Sequence, residues 1–453
     1  MKLEGKGRGA GRGWLSALTG TAAALTILAA APAMAQGVTF PPQMLEAASS
    51  AAKAIAGGKT IGGSVSVLGV DGGRELEMLK ATWKPFEEAT GITVNYTGTT
   101  DFAAVLQTRV AAGDPPDIAD STNINNLVRY AKAGKLQDVG AMIGKDRLQG
   151  QYDAGLLDAT MVDGKIYGVW DRIASFMVWY NVQTYDGPKG ASWQEFDGWA
   201  KKKAASGKTP WCHADERGPA SGAVGGNWIQ AYFLKKYGPE KTKAWARGEL
   251  KWTSPEVKDA FQAFGAMVTD PKIVAGGPLT VLSTPAIKIG TGMFSKPPAC
   301  DVMLWGIYAG GLTRLIYPEV KPIENLDFMA IPAMTPEFAK HEIFGGTLHL
   351  AFKNTPQAAA FLAYLASPEA QALVASTGNW TVANQKVPVA AYTDATTRKA
   401  KEQLLGPDRT LIAVPTLVVD PPVVAAYWKG IVQYIKNPNS LDEVLASIEA
   451  AKQ

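Results

Sequence analysis

The sequence predicts an α/β fold in which strands alternate with helices, divided over two domains. One observation is the stretch 62–73, G-G-S-V-S-V-L-G-V-D-G-G. Its apolar run Val65, Val67, Leu68 and Val70, bounded by glycines, is the pattern of a strand covered by helices on both faces. A second is the segment that follows, where Leu76, Met78, Leu79, Trp83 and Phe86 recur at three- and four-residue spacing and 91–98 then reads as another strand. Strand, helix and strand close as a right-handed parallel crossover, and the loops at the strands' carboxyl ends form a ligand crevice. The third is length, because 453 residues exceed one ordinary core. Asp71 and Asp101 each follow a strand and face the crevice; Asp71 as a plain helix cap is the alternative.

Taken in order, the alanine-rich segment 44–55 reads as a short outer helix. After the crossover come a helix at 102–112, a short strand at 117–120 ending at the crevice, and a helix at 126–133. The pair Asp163-Gly164, between alternating apolar residues of 161–170, predicts a hairpin, with a further strand at 173–181. An amphipathic helix at 193–205 precedes a strand-like approach to Cys212, and 227–237, 254–268 and 282–294 supply helical or mixed segments. The stretch 325–332 reads as a strand. In 343–352 an apolar strand carries Gly345 and Gly346, a place for close backbone approach or a hinge. Helices are expected at 357–366, 368–376, 395–405, 421–435 and 440–450, the last with Ser440 as N-cap and Glu443 three residues on.

Residues 1–35 have the layout of a secretory signal peptide: a basic section ending near Arg12, an apolar section to about Ala31, and Ala33-Met-Ala35 as the cleavage site before Gln36. The expected compartment is a bacterial periplasm, with 36–59 as an N-terminal extension. The formal charge of +4 contains this leader; removing Lys2, Lys6, Arg8, Arg12 and Glu4 leaves about +1, no electrostatic reason to bind nucleic acid. Cys212 and Cys300 are an even pair in an oxidising compartment, which predicts one disulfide, two free thiols being the alternative. His213, His341 and His349 have no metal-ligand spacing. No G-x-S-x-G, H-E-x-x-H, phosphate loop or in-register G-x-G-x-x-G is present, so no catalytic residue, metal or cofactor is assigned. What remains is an exported α/β chain with acidic and aromatic residues at loop ends. Tryptophan faces suit the apolar faces of sugars, while Asp, Asn and Arg suit their hydroxyls.

The stretches L-Q-T-R-V-A-A-G-D-P-P-D (106–117), R-Y-A-K-A-G-K-L (129–136), V-D-G-K-I-Y-G-V (162–169), V-W-Y-N (178–181), F-G-G-T-L-H-L-A-F-K-N (344–354) and Y-W-K-G-I-V-Q-Y (427–434) occur in that order. With them the chain resembles, from about residue 62 to its end, the extracellular solute-binding proteins that deliver sugars to ABC importers, the group including maltodextrin-binding protein, and within it the alpha-glucoside-binding branch. The resemblance implies a type II periplasmic-binding-protein fold: two α/β lobes, 60–174 with 347–377 and 175–346 with 378–453, around an interlobe ligand cleft. It also implies a Cys212–Cys300 disulfide from the T-P-W-C and P-P-A-C contexts, a small carbohydrate ligand, a membrane permease as partner and a separate ATPase chain. A monomer with no enzymatic activity is expected.

Near the expected pocket the sequence departs from that branch. Asp71 stands after the first strand, Asp120-Ser-Thr and Trp170-Asp-Arg replace aromatic-containing stretches, and Asp301 follows Cys300. Ligand contacts are accordingly expected from Asp71, Asp101, Asp120, Asp171, Arg172, Trp228, Trp305 and Trp380, with Gly345 and Gly346 at the hinge. The acidic departures carry an alternative reading, a receptor for an amino-bearing sugar or another cationic solute.

Overall fold

The computed structural model describes residues 39–452 apart from Thr100, Ala191 and Pro407. The expected leader and its cleavage site lie outside these residues. The crossover read from the sequence is present: β1 (Ser64–Gly69) and β2 (Thr93–Gly98) pair in parallel around the helix Gly73–Thr90. That helix buries Met78, Leu79, Trp83 and Phe86, the three/four-spaced stripe. Phe86 packs on Tyr364 with ring centroids 5.1 Å apart, and Tyr364 Oη donates to the Thr82 carbonyl at 2.7 Å, tying it to the helix Pro356–Ala366. β3 (Ile118–Ser121) lies parallel to β1 on its other side. The hairpin β4 (Met161–Val162) and β5 (Lys165–Ile166) turns on Asp163 and Gly164, both at positive φ.

Two long strands organise the rest. β6 runs unbroken over Gly168–Asn181, longer than the 173–181 expected, because its backbone pairs with β9 (His341–Ala351) from Gly168 onward. Beyond Ser175, β6 is flanked by β7 (Val302–Gly306) and β8 (Leu326–Met329), both antiparallel. The far half of β9 pairs with β3, and its near half with the parallel β11 (Thr410–Ala413); β10 (Thr381–Val382) pairs with the start of β6. The result is two α/β lobes of the type II periplasmic-binding-protein kind, threaded by β6 and β9. Gly345 and Gly346 sit on β9 opposite Ala174 and Ile173. A Cβ on Gly346 would come within 2.5 Å of the Arg172 carbonyl oxygen, so this approach of the two strands requires glycine.

Some local readings give way to tertiary packing. The capping box at 440–450 does not form: Ser440 Oγ donates to the Asn437 carbonyl at 2.8 Å and makes no side-chain cap. The 282–294 segment is the end of the helix Gly277–Ser283 followed by two short 3₁₀ turns. Trp211 makes only isolated bridges to Val274 and Val302, although these place the next residue for its bond.

Cys212 and Cys300 are disulfide-bonded, with Cα atoms 5.4 Å apart and 88 residues between them in sequence. Closing a loop of this length restricts the unfolded chain. Replacing both cysteines with serine is expected to lower the free energy of unfolding by about 2–5 kcal/mol in urea denaturation; an unchanged midpoint would contradict this.

Candidate functional site

Four strands deliver charged side chains to one buried point. β1 ends two residues before Asp71, β3 carries Asp120, β9 carries His349 directly opposite Asp120, and β6 carries Asp171 and Arg172. Successive residues of a regular strand point to opposite faces. Here the β6–β9 register slips between Trp170 and Arg172, a bulge at Asp171, and both Asp171 and Arg172 reach the same cluster.

Arg172 is its centre. Its Nη1 and Nη2 donate to Asp71 Oδ1 and Oδ2 at 3.0 and 2.9 Å, a two-pronged pair. Nη2 also reaches Asp120 Oδ2 at 3.5 Å, Nε donates to Asp171 Oδ2 at 3.2 Å, and the ring of Trp380 lies 5.4 Å from the guanidinium carbon. His349 Nε2 lies 3.2 Å from Asp171 Oδ2, outside hydrogen-bond alignment. Tyr96 Oη accepts the Asp71 main-chain N–H at 3.0 Å and stands 3.3 Å from both Asp71 Oδ2 and Asp120 Oδ2. That reach depends on Gly69, where a Cβ would fall 2.1 Å from the Tyr96 hydroxyl. Asp71 is 8 % exposed, Arg172 5 % and Asp120 1 %, and Asp120 Oδ1 has no hydrogen-bond partner.

Burial and neighbours divide the carboxyls. Burial pushes Asp120 up to about 7 against the pull of His349 and Arg172. For Asp171 burial is outweighed by Arg172 and His349, which hold it at about 2. Burial lowers His349, but Asp171 and then Asp120 raise it above its ordinary value.

Beside the cluster is a cavity of about 440 Å³, within the range of small-molecule sites. Trp380 borders both. Part of the lining comes from Arg74, Glu75 and Met78 at the start of the helix Gly73–Thr90, and part from Tyr308 and Leu312 after β7. Asn379, Thr396 and Thr397 add polar groups, and Arg314 Nη1 donates to Asp394 Oδ2 at 3.1 Å, both residues lining the cavity. The lining thus combines flat apolar faces with hydroxyl, amide and ionic edges.

Of the residues singled out from the sequence, Asp71, Asp120, Asp171, Arg172 and Trp380 come together. Asp101 stands apart, exposed ahead of the helix Phe102–Ala111 and making no side-chain cap. Trp228 is 1 % exposed in an aromatic core, stacked on Tyr232 at 5.5 Å and edge-on to Trp193, and lines a different cavity of about 210 Å³. Trp305 is buried in β7, edge-on to Tyr308 at 5.1 Å, and supports the cavity wall from behind. Asp301 is held 2.8 Å from Lys203 Nζ and adds nothing acidic to the cluster. Sequence reasoning missed Tyr96, His349 and Tyr308. Tyr96 and His349 were legible only as members of strands, and Tyr308 as the aromatic three residues beyond Trp305.

The family described as bacterial extracellular solute-binding protein matches residues 71–372. An osmoprotective compounds-binding protein of Synechocystis sp. (GgtB) is 29 % identical over 391 residues, covering 85 % of this chain and 91 % of the relative. An alpha-glucosides-binding periplasmic protein of Rhizobium meliloti (AglE) is 26 % identical over 406 residues, 86 % and 87 % of the two chains. Among solved structures, the bacterial solute receptor AcbH, which prefers β-D-galactopyranose, matches with a TM-score of 0.71 at 18 % identity, covering 86 % of this chain and 97 % of its own. A chitin oligosaccharide binding protein matches at 0.69 and 20 % identity, covering 85 % and 97 %. The likeness to these structures is one of fold.

A buried carboxyl held up to about 7 keeps a proton that the unfolded chain has lost, so its penalty is absent below the ordinary carboxylate range and grows as pH rises toward 7. The raised His349 acts in the same direction, its stabilisation fully present below its ordinary value of 6.5 and lost above. Asp171 acts oppositely, only as pH falls toward 2. Asp120→Asn is expected to flatten the decline in stability between about pH 4 and 7, by up to about 4 kcal/mol across that window. Parallel stability curves for the two proteins would refute this assignment.

Proposed function

Because the chain belongs to the bacterial extracellular solute-binding proteins, we propose that it is the carbohydrate receptor of an ABC importer, capturing an uncharged glucoside or oligosaccharide and handing it unaltered to a membrane permease. The observation that carries this reading is the cavity of about 440 Å³ walled by segments distant in sequence, with Trp380 and Tyr308 as flat faces and an amide and two threonine hydroxyls beside them. A pyranose has apolar faces ringed by hydroxyls, and a site of this composition answers both. The Rhizobium meliloti relative that binds alpha-glucosides supports the finer choice of an alpha-glucoside. Solved structures of the same fold include a raffinose complex and a maltose complex.

Within this reading the lobes comprise 60–174 with 347–377 and 175–346 with 378–453, and they close on the ligand by bending where β6 and β9 cross at Gly345 and Gly346. The protein works as a monomer in the periplasm, after removal of its leader before Gln36, and carries no catalytic step. The cationic-solute alternative rested on an acidic surplus. Arg172 contacts all three carboxylates of the cluster, Lys203 pairs with Asp301, and none of these four carboxylates lines the cavity.

Isothermal calorimetry with neutral disaccharides, amino sugars and polyamines tests the reading. Saturable heat is expected with a neutral disaccharide and no product by chromatography. Trp380→Ala is expected to weaken binding about tenfold, the loss of one aromatic stacking face. Heat with polyamines alone, or turnover of the sugar, would overturn it.

A further inference from the structure

The surroundings of Arg172 have the composition of a receptor site for a cation. Three carboxylates from three separate segments face the guanidinium at 2.9 to 3.5 Å, one of them two-pronged, and an indole face covers it at 5.4 Å. Charge-assisted carboxylate contacts together with an aromatic face are how guanidinium and quaternary ammonium ions are held. Here the cation belongs to the chain. Its carboxylate wall is built more generously than Arg172 needs: Asp120 is 1 % exposed, yet its Oδ1 meets no donor.

The backbone keeps this internal cation in place. Arg172 donates its main-chain N–H to Asp171 Oδ1 at 2.6 Å, and its carbonyl is closely approached by Gly346. The bulge before Arg172 turns the side chain inward, and Trp380, which covers it, is also a wall of the adjoining cavity. His349 lies beside Asp171 and opposite Asp120, Tyr96 stands beside Asp71 and Asp120, and Tyr152 lies within electrostatic reach of Asp171.

We propose that Arg172 is a built-in occupant of a cation box formed by Asp71, Asp120, Asp171 and Trp380, and that this occupancy makes it a specificity-determining residue, closing the receptor to small cations and reserving the adjoining cavity for uncharged solutes. A cationic solute meets carboxylates already engaged by the Arg172 guanidinium, and Trp380 stands between them and the cavity. Removing the side chain empties the box without removing its walls. The proposal rests on the receptor reading for the meaning of the cavity, but its test reads a cation and not a sugar.

The test uses the purified protein, Arg172→Ala, and Arg172→Ala combined with Asp71→Asn, each melted and titrated with methylguanidinium chloride, tetramethylammonium chloride or sodium chloride. Arg172→Ala is expected to melt lower than the parent. Methylguanidinium should raise its melting temperature saturably, sodium chloride should not, and methylguanidinium should bind it at least about tenfold more tightly than it binds the parent. The added Asp71→Asn should abolish the gain. If Arg172→Ala does not fold alone, its refolding yield in methylguanidinium against sodium chloride gives the same reading. A response to methylguanidinium no greater than to sodium chloride, or equal binding by the parent, overturns the proposal. Failure of the parent to bind any sugar would instead sink the receptor reading and leave the cation result standing.

Discussion

The two-pronged contact between Arg172 and Asp71 is the constraint around which the site is arranged. It joins the carboxyl end of β1 to the bulged start of β6, and the same guanidinium reaches Asp120 on β3. Charges this deeply buried gain little net stability from pairing, because each has lost its hydration. Their value lies in discrimination. Removing one partner strands the others, which costs on the order of 3–5 kcal/mol, so the arrangement with every member present is favoured. The pair therefore fixes where the strands end, where Trp380 comes to rest and where the cavity opens.

Around that point the fold separates rigidity from adaptability. The aromatic packing of Phe86 on Tyr364 and the stack of Trp228 on Tyr232 sit deep in dense cores. The cavity is assembled from loop ends and helix starts, segments that carry half-exposed groups such as Tyr308 and Trp380. β6 and β9 run behind these segments as long strands paired with each other from Gly168 to Ser175.

Much of this architecture was legible locally. The glycine-bounded run of β1, the stripe on the helix after it and the Asp163-Gly164 turn are short-range patterns, and each appears where the residues place it. The even cysteine pair was likewise readable and is bonded. Asp71, Asp120, Asp171 and Arg172 were identifiable as departures from a family pattern, although not as partners of one another. Trp228 illustrates the limit. An indole suits a sugar face and a core equally, and only the neighbours Trp193, Tyr232 and Phe264 decide between them. Ser440 shows it again, since its hydroxyl has two possible backbone partners and took the Asn437 carbonyl.

The amino-acid sequence by itself determined the α/β order, the two-domain scale, the likeness to exported receptors and the set of residues worth watching, because these depend on periodicity, composition and motif order along the chain. Tertiary structure alone decided that Arg172 answers three carboxylates, that His349 faces Asp120 across two strands, and that Asp301 is spent on Lys203. The physical reason is that charge compensation depends on distances between segments up to hundreds of residues apart, and a one-residue bulge at Asp171 is enough to change which groups meet.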